Sequence, residues 1–290
     1  MNRKSQQRGS TGETVVLKFG GEIAGDRPLL DVVFAEIARC VERGVRMTVV
    51  HGGGKQGTDL SRRLGLETHM VAGRRVTDAP TLEVLKMAFA GTINTDVLAA
   101  CRAAGVRAVG ISGIDGGLVR VARRPPRLVV DPVTGERRTV DYGFVGDIVS
   151  VDATVATDLM DAGFVPVVAP LAADDDGVVY NVNADDIAAA IATRLGARRL
   201  IIASNISGVR DAAGDVIPHV DELAARDLIR RGVVTGGMIP KLEAALAAVA
   251  AGVECVRIVD GTSRGSLERE ILQGAESGTT VAAPSHAAVM

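Results

Sequence analysis

Aromatic residues, cysteine and net charge are all scarce in this chain of 290 residues. Aromatic residues make up 2% and tryptophan is absent, so the 47% of hydrophobic residues must build an aliphatic core. The net charge of −2 argues against the broad positive surface that binds nucleic acid or an anionic membrane. A small anion needs only a few cations in one pocket, so that class of ligand is still allowed.

The three cysteines, Cys40, Cys101 and Cys255, are far apart and form no CxxC pair. They predict reduced, buried thiols, and the scattered histidines predict no metal site. No apolar run reaches the ~18 residues of a membrane helix. Residues 1–13, assigned as an N-terminal tail, lack the apolar segment of a signal peptide. We therefore expect a soluble, cytoplasmic protein with no membrane or nucleic-acid partner.

Glycine-rich turns join strands to helices twice near the start of the chain. A strand at 14–19 runs into Gly20-Gly21, and a strand at 45–50 runs into His51-Gly52-Gly53-Gly54. Such units build a parallel, doubly wound sheet, which predicts an α/β fold. A boundary between two lobes is predicted near 170–180, and no flexible linker is found there. The sheet is therefore expected to run through both lobes.

Strands and helices continue to alternate along the chain. A polar hairpin, with strands predicted at 128–130 and 138–140, interrupts this alternation. A partly irregular tail is predicted over 275–290. Helices are predicted over 29–43, 55–64, 79–90, 92–104, 151–162, 186–195, 220–230 and 239–251, and further strands over 108–111, 118–121, 165–169, 178–180, 199–203 and 255–259.

Glycine at a strand-to-helix turn lets backbone N–H groups converge on an anion at the positive end of the helix. The second turn also matches the dinucleotide pattern GxGxxG over 52–57. However, this match lies in the second strand–helix unit. No acidic residue stands clearly at a strand end about 20 residues later, because Glu67 is too early and Asp78 precedes a predicted helix. The P-loop pattern also fails, because Gln56 stands where that pattern needs Ser or Thr.

Two lysines lie beside glycines in unusual positions. Lys18 lies near the end of an apolar strand, at the sheet edge where α/β proteins bind ligands. Lys241 follows Gly236-Gly237 in the first turn of a predicted helix, where a cation is unfavourable unless an anion is near. Taken singly, each lysine could also be a solvated surface residue.

Five segments in this order resemble the motifs of the amino-acid kinase family, over about 14–260. They are Lys18-Phe19-Gly20-Gly21, His51-Gly52-Gly53-Gly54, Gly73-Arg74-Arg75-Val76-Thr77-Asp78, Asn181-Val182-Asn183-Ala184-Asp185 and Gly236-Gly237-Met238-Ile239-Pro240-Lys241. The resemblance implies a three-layer α/β/α sandwich around a central, mainly parallel sheet. It also implies that 14–175 form a lobe for an acyl amino acid and for homodimer contacts, and that 176–290 bind ATP.

The resemblance is strongest to members that transfer the γ-phosphoryl group of ATP to the side-chain carboxylate of N-acetyl-L-glutamate, in arginine biosynthesis. The product would be an acyl phosphate. A carboxylate acceptor is already ionised at pH 7, so the reaction needs charge neutralisation and alignment rather than a general base. Mg²⁺ would accompany ATP, held mainly by phosphates and water.

By the match, Lys18 and Lys241 would be catalytic and flank the transferred phosphoryl group. Asp185 would hold both lysines by charge pairing. Gly20 and Gly21 would bind phosphate through backbone N–H groups.

The remaining matched residues imply an acid-binding site. Arg75 would clamp a substrate carboxylate with its guanidinium fork. Gly53, Gly54 and Asn181 would contact the rest of the acid. Asn181 and Asp185 could instead only cap the helix that follows them.

Two departures from the family pattern keep an alternative substrate open. Ser204-Asn205 replaces the usual Ser/Thr-Asp pair, and Lys55 follows the triple glycine. Both features are compatible with an N-acylated or carrier-linked 2-aminoadipate or glutamate, and with an amino-group carrier protein as partner. Two other classes are a nucleotide-dependent dehydrogenase and a non-catalytic amino-acid sensor. The dehydrogenase would rest on the match at 52–57 and would not use Lys18, Lys241 or Arg75. The sensor predicts a broken catalytic set, whereas both lysines are present.

Overall fold

In a computed structural model, the described residues are 12–71, 73–130, 137–274 and 278–282. Most of the predicted tail at 1–13 and much of the segment at 275–290 therefore lie outside the described residues. The strands are β1 (Thr14–Phe19), β2 (Arg46–His51), β3 (Met70–Val71), β4 (Arg74–Arg75), β5 (Ala108–Ser112), β6 (Val119–Arg123), β7 (Arg127–Val130), β8 (Arg137–Val140), β9 (Gly146–Val151), β10 (Val165–Ala169), β11 (Leu171–Ala173), β12 (Val179–Asn181), β13 (Arg199–Ser204), β14 (His219–Val220), β15 (Cys255–Asp260) and β16 (Thr279–Val281).

The helices alternate with these strands, as the glycine turns predict. A π-helical stretch, Met87–Ile93, joins α4 to α5 without a break. The helices are α1 (Gly21–Ala24), α2 (Arg27–Glu42), α3 (Gly54–Arg63), α4 (Ala79–Lys86), α5 (Asn94–Ala103), α6 (Thr154–Asp161), α7 (Ala184–Arg194), α8 (Glu222–Arg230), α9 (Met238–Ala250) and α10 (Ser266–Gln273).

One eight-stranded sheet, in the order β14-β16-β15-β13-β1-β2-β10-β5, forms the centre of the molecule. Its central pairs are parallel, and β16 runs antiparallel to β15. Strands from both predicted lobes meet where β1 pairs with β13. The expectations of a mainly parallel sheet and of its continuity through both lobes are therefore confirmed.

Two hydrophobic cores cover the two faces of this sheet, which completes the predicted three layers. Side chains alternate along β1, so Val15, Leu17 and Phe19 join the core that contains α2, α5 and α10. Val16 faces the opposite core, formed with α7 and α9. By the same alternation Lys18 faces the layer of α7 and α9, at the carboxyl end of the strand.

Several predicted elements differ from the structure. Strand β9 was not predicted, and it takes Val151, the first residue of the helix predicted at 151–162, because Gly146–Val151 pairs with β6 in a separate four-stranded sheet. The helix itself begins at Thr154. Helix α10 and strand β16 were missed altogether. The side chain of Glu36, distant in sequence, accepts the N–H groups of Gly265 and Glu268 at the start of α10. Local sequence carries no sign of such a remote cap.

The helices predicted at 79–90 and 92–104 form one continuous helix, 79–103. By length and composition it could cross a membrane, and it is the only such helix in the described part of the chain. Half of its most apolar window is buried inside the protein, where it packs against α2, β5 and β10. The helix therefore contributes to the hydrophobic core. Cys40 and Cys101 are buried as predicted, whereas Cys255 is only half-buried.

His51, at the end of β2, is a fully buried polar residue in the core. Its Nδ1 lies 3.0 Å from the carbonyl of Gly52, and its Nε2 lies 3.2 Å from Nδ2 of Asn94, which also donates to the carbonyl of Val167. A neutral ring with its proton on Nδ1 satisfies both contacts. Burial lowers the pKa of His51 to about 4.

Because the folded pKa of His51 lies below its ordinary value of 6.5, the unfolded chain binds a proton there that the native ring does not, between pH 6.5 and about 4. Acid should therefore remove up to about 3 kcal/mol of stability through this group, and none above pH ~7. The His51→Gln variant should lack this pH-dependent part of the unfolding free energy. Urea denaturation at several pH values would measure the free energy of unfolding of both proteins, and the difference between them should narrow as the pH falls. A constant difference would contradict the assignment, and the exposed His219→Gln variant is the matched control.

Candidate active site

The carboxyl ends of β1 and β2 and the first turns of α7 and α9 surround one cavity of about 280 Å³. All of the residues predicted for the site line this cavity, although they come from distant parts of the sequence. They are Lys18, Gly20, Gly21, Gly53, Gly54, Arg75, Asn181, Asp185 and Lys241.

A buried ion pair joins β1 to α7. Nζ of Lys18 lies 2.7 Å from Oδ1 of Asp185, and each residue is only 4% exposed. Oδ1 makes no hydrogen bond of good geometry with the described residues, so charge attraction rather than a linear hydrogen bond holds the pair. Removing either partner would leave an uncompensated buried charge.

The residue that caps α7 is neither Asn181 nor Asp185, the two candidates from the sequence. The side chain of Asn183 accepts the N–H groups of Asp185 and Asp186, so Asn183 is the N-cap. Asp185 is thereby fixed in the first turn with its carboxylate directed at Lys18. Asn181 instead donates from Nδ2 to Oγ1 of Thr77.

Lys241 lies in the first turn of α9, as predicted, and its ammonium group shares the cavity with that of Lys18. Burial lowers the pKa of Lys241, and the positive charge of Lys18 lowers it further, whereas Asp185 and Glu22 act in the opposite direction. Its only hydrogen bond among the described residues is a long one, 3.4 Å, to the carbonyl of Gly237. Four cationic side chains line the cavity, those of Lys18, Lys55, Arg75 and Lys241, against the two carboxylates of Glu22 and Asp185. The excess of positive charge favours an anion.

Three helices begin at the cavity without a side-chain cap: α9 after Gly237, and two that follow the glycine turns, α1 after Gly20 and α3 after Gly53. The first N–H groups of a helix have no intrahelical acceptor, so these two turns can donate to an anion. A Cβ on Gly53 would lie 2.3 Å from Cδ1 of Ile93 and 2.9 Å from the ring of Phe89. Only glycine fits beneath the π-helical stretch at this point.

Arg75, on the β3–β4 hairpin, faces the turn that begins α3. Its guanidinium donates to the carbonyl of Gly54 and to the hydroxyls of Thr58 and Thr68, at 2.8, 2.8 and 3.2 Å. Burial lowers the pKa of Arg75. Within the described ranges no carboxylate pairs with Arg75, so its charge is available to a bound acid.

The cavity also contains residues that the sequence did not identify. Glu22 directly follows the first glycine turn, and this position was the available clue. Phe89 reaches the cavity from the π-helical stretch, which no local sequence pattern indicates. Met70 and Pro170 were likewise not identified. The other lining residues stand in the quoted motifs without an assigned role, or, as Lys55 does, directly after one; they are Gly52, Lys55, Val182, Asn183 and Ala184.

A larger open groove of about 600 Å³ lies elsewhere, between β9 and the alanine-rich faces of α7 and α9. None of the predicted site residues lines it. Partial burial raises the pKa of Asp186, a half-buried carboxylate that lines this groove, to about 6. Size alone therefore does not identify the functional cavity.

Residues 13–260 match the model of the amino acid kinase family. Among relatives named acetylglutamate kinase, that of Sphingopyxis alaskensis is 43% identical over 93% of this chain and 89% of its own length. The acetylglutamate kinase of Sorangium cellulosum is 43% identical over 92% of this chain and 94% of its own length. That of Symbiobacterium thermophilum is 42% identical over 93% and 92%.

Solved structures agree on the fold. N-acetylglutamate synthase from Neisseria gonorrhoeae, complexed with coenzyme A and N-acetyl-glutamate, superposes with a TM-score of 0.77 at 24% identity, over 93% of this chain and 59% of that one. Giardia carbamate kinase superposes with a TM-score of 0.65 at 17% identity, over 94% and 100%. Together with the matched motifs and the shared cavity, these findings show that the chain belongs to the amino-acid kinase family.

Proposed function

We propose that this enzyme transfers the γ-phosphoryl group of ATP to the side-chain carboxylate of N-acetyl-L-glutamate, forming an acyl phosphate in arginine biosynthesis. The observation that carries the proposal is that Lys18 and Lys241 face one cavity that Arg75 also lines. The relatives at 42–43% identity, all named acetylglutamate kinase, support the same acceptor. They do not favour the alternative of a 2-aminoadipate or carrier-linked acid.

The charges of the cavity suit a reaction between two anions. The acceptor carboxylate is ionised at pH 7 and attacks without a general base. The ammonium groups of Lys18 and Lys241 would offset the charge that spreads over the transferring phosphoryl oxygens. The uncapped turns after Gly20 and Gly53 would supply N–H donors, and Asp185 would keep Lys18 in place.

Arg75 would bind the second carboxylate of the acid, and Gly53, Gly54 and Asn181 would contact its remainder. These contacts belong to the lobe at 14–175 and its boundary, whereas Lys241 and Asp185 come from the lobe at 176–290. The first lobe would therefore bind the acid, and the second would present ATP.

Mg²⁺ would enter with ATP. No group of three or more His, Cys, Asp or Glu side chains that could hold a metal is found among the described residues. Glu22 and Asp185 are the acidic residues at the cavity, and Asp185 is already paired with Lys18. This donor set fits an ion held mainly by phosphates and water, which would offset phosphate charge when bound.

A cytoplasmic homodimer is the assembly that we propose for this enzyme. Strand β5 ends the central sheet and has no further strand beside it among the described residues. A free strand edge is a common place for pairing with a second copy. Light scattering during gel filtration would measure the molecular mass.

The reaction can be tested by incubating the protein with Mg-ATP, hydroxylamine and a panel of N-acyl acids. Acetylglutamate should give a hydroxamate, because hydroxylamine traps acyl phosphates. A signal only from N-acetyl-2-aminoadipate or from a carrier-bound acid would overturn the proposed substrate. No signal from any acid would overturn the proposed reaction.

Lys241→Ala should lower kcat by ~10² or more and change the KM for the acid little, because the proposed contact strengthens in the transition state. Steady-state kinetics in the hydroxamate assay would measure both constants. A change confined to KM would contradict this role. The exposed Lys86→Ala variant is the matched control.

Arg75→Lys should raise the KM for acetylglutamate ~10-fold or more and change kcat less, because lysine keeps the charge but loses the bidentate fork. The same kinetics would measure this split, with thermal unfolding to confirm that the variant is folded. An unchanged KM would remove Arg75 from the acid site. Arg63→Lys, on the exposed end of α3, is the control.

A further inference from the structure

The side chain of Gln56 crosses from the first turn of α3 to α1. Its Nε2 donates to the carbonyl of Gly21 at 2.5 Å. The same carbonyl accepts the N–H of Gly25 at 2.9 Å. Gln56 therefore links the glycine turn before α1 to the glycine turn before α3.

Two glycines make room for this amide. A Cβ on Gly25 would lie 2.0 Å from Nε2 of Gln56, and a Cβ on Gly21 would lie 2.6 Å from its Oε1. Gly25 has φ −98° and ψ 7°, a conformation that other residues adopt, so backbone geometry does not require glycine there. The space taken by Gln56 accounts for it.

The two ends of the amide differ in their contacts. Nε2 of Gln56 has the carbonyl of Gly21 as its acceptor, whereas Oε1 is buried and has no hydrogen-bond partner in the part of the chain that the structure describes. An unsatisfied buried acceptor opposes folding and offsets part of what the Nε2 contact contributes. The side chain can therefore act on its surroundings through the contact with Gly21.

The carbonyl of Gly21 belongs to the same planar peptide as the N–H of Glu22. Because that peptide is rigid and trans, holding the carbonyl on one side directs the N–H to the other. Glu22 lies in the first turn of α1 and lines the cavity, so its N–H has no intrahelical acceptor. Gln56 thus sets the direction of a donor at the predicted phosphate site.

We propose that Gln56 is a positioning residue that joins the phosphate-binding turn at Gly20-Gly21 to the acid-binding turn at Gly53-Gly54. It fixes the separation of the two reacting groups and acts through the Gly21–Glu22 peptide rather than by touching substrate. This inference rests on the proposed function. Alignment errors of about 1 Å can cost a reaction ~10²-fold, which gives such a link kinetic weight.

The test compares Gln56→Ala, Gly25→Ala and the double variant by steady-state kinetics in the hydroxamate assay. Gln56→Ala should lower kcat ~10- to 100-fold and change the KM for acetylglutamate less than ~3-fold. Gly25→Ala should produce the same split, because its methyl group displaces the amide. The double variant should be no slower than Gln56→Ala, since the amide is already gone.

Three results would overturn the proposal. The first is a kcat within about twofold of wild type in both single variants. A lower melting temperature of these variants without a change in kcat counts as this result, because it shows a purely structural role. The second is multiplication of the two single effects in the double variant. The third is full activity of Gln56→Glu, which keeps the size of the side chain and removes the donor.

Matched controls separate this link from general damage. Gln273→Ala removes an exposed glutamine, and Gly91→Ala adds a methyl group where no atom lies within 4 Å. Calorimetric titration with a non-hydrolysable ATP analogue gives a second readout, in which Gln56→Ala should bind several-fold more weakly and equal affinity would contradict the proposal. If wild type phosphorylates no acid, the proposed function fails, and this titration still decides whether Gln56 orders the phosphate-binding turn.

Discussion

The buried pair between Lys18 and Asp185 is the interaction on which the rest of the site depends. Alternation along β1 directs Lys18 into the layer of α7 and α9, and the Asn183 cap fixes Asp185 opposite to it. Neither charge would be stable there alone. With the pair formed, Lys241 adds a second ammonium group whose charge is not fully balanced. The strand, the helix cap and the pair thus create a place for a polyanion before any substrate arrives.

Glycine gives this place its shape. The two glycine turns bring backbone donors to the cavity. Because these glycines have no side chains of their own, side chains from other elements occupy the space beside them. Phe89 and Ile93 fill the space over Gly53, and the amide of Gln56 fills the space beside Gly21 and Gly25. In the proposed reaction, charge attraction would bring the two anions into the cavity, and these contacts would set their relative positions. The chemistry asks for both, because two like-charged reactants must be neutralised and aligned.

The grouping of these residues could be predicted because five ordered segments of the sequence resemble the motifs of one family. Glycine turns after parallel strands also indicate which edge of the sheet holds a ligand site. Taken singly, Lys18 and Lys241 could each have been a solvated surface residue. The elements that were wrong or missed depend on remote partners. Helix α10 is capped by Glu36, more than 200 positions away, and β9 is a strand because β6 pairs with it. The hydrogen bond from Gln56 to Gly21 is also non-local, so the sequence alone does not predict it.

The central sheet has a mechanical consequence. Because 15–19 of β1 pair with 199–203 of β13, the parts of the molecule that carry Arg75 and Lys241 are joined through one continuous sheet. A hinge between them would have to break the middle of a parallel sheet. Any widening of the cavity that keeps this pairing intact has to come from elements outside the central strands.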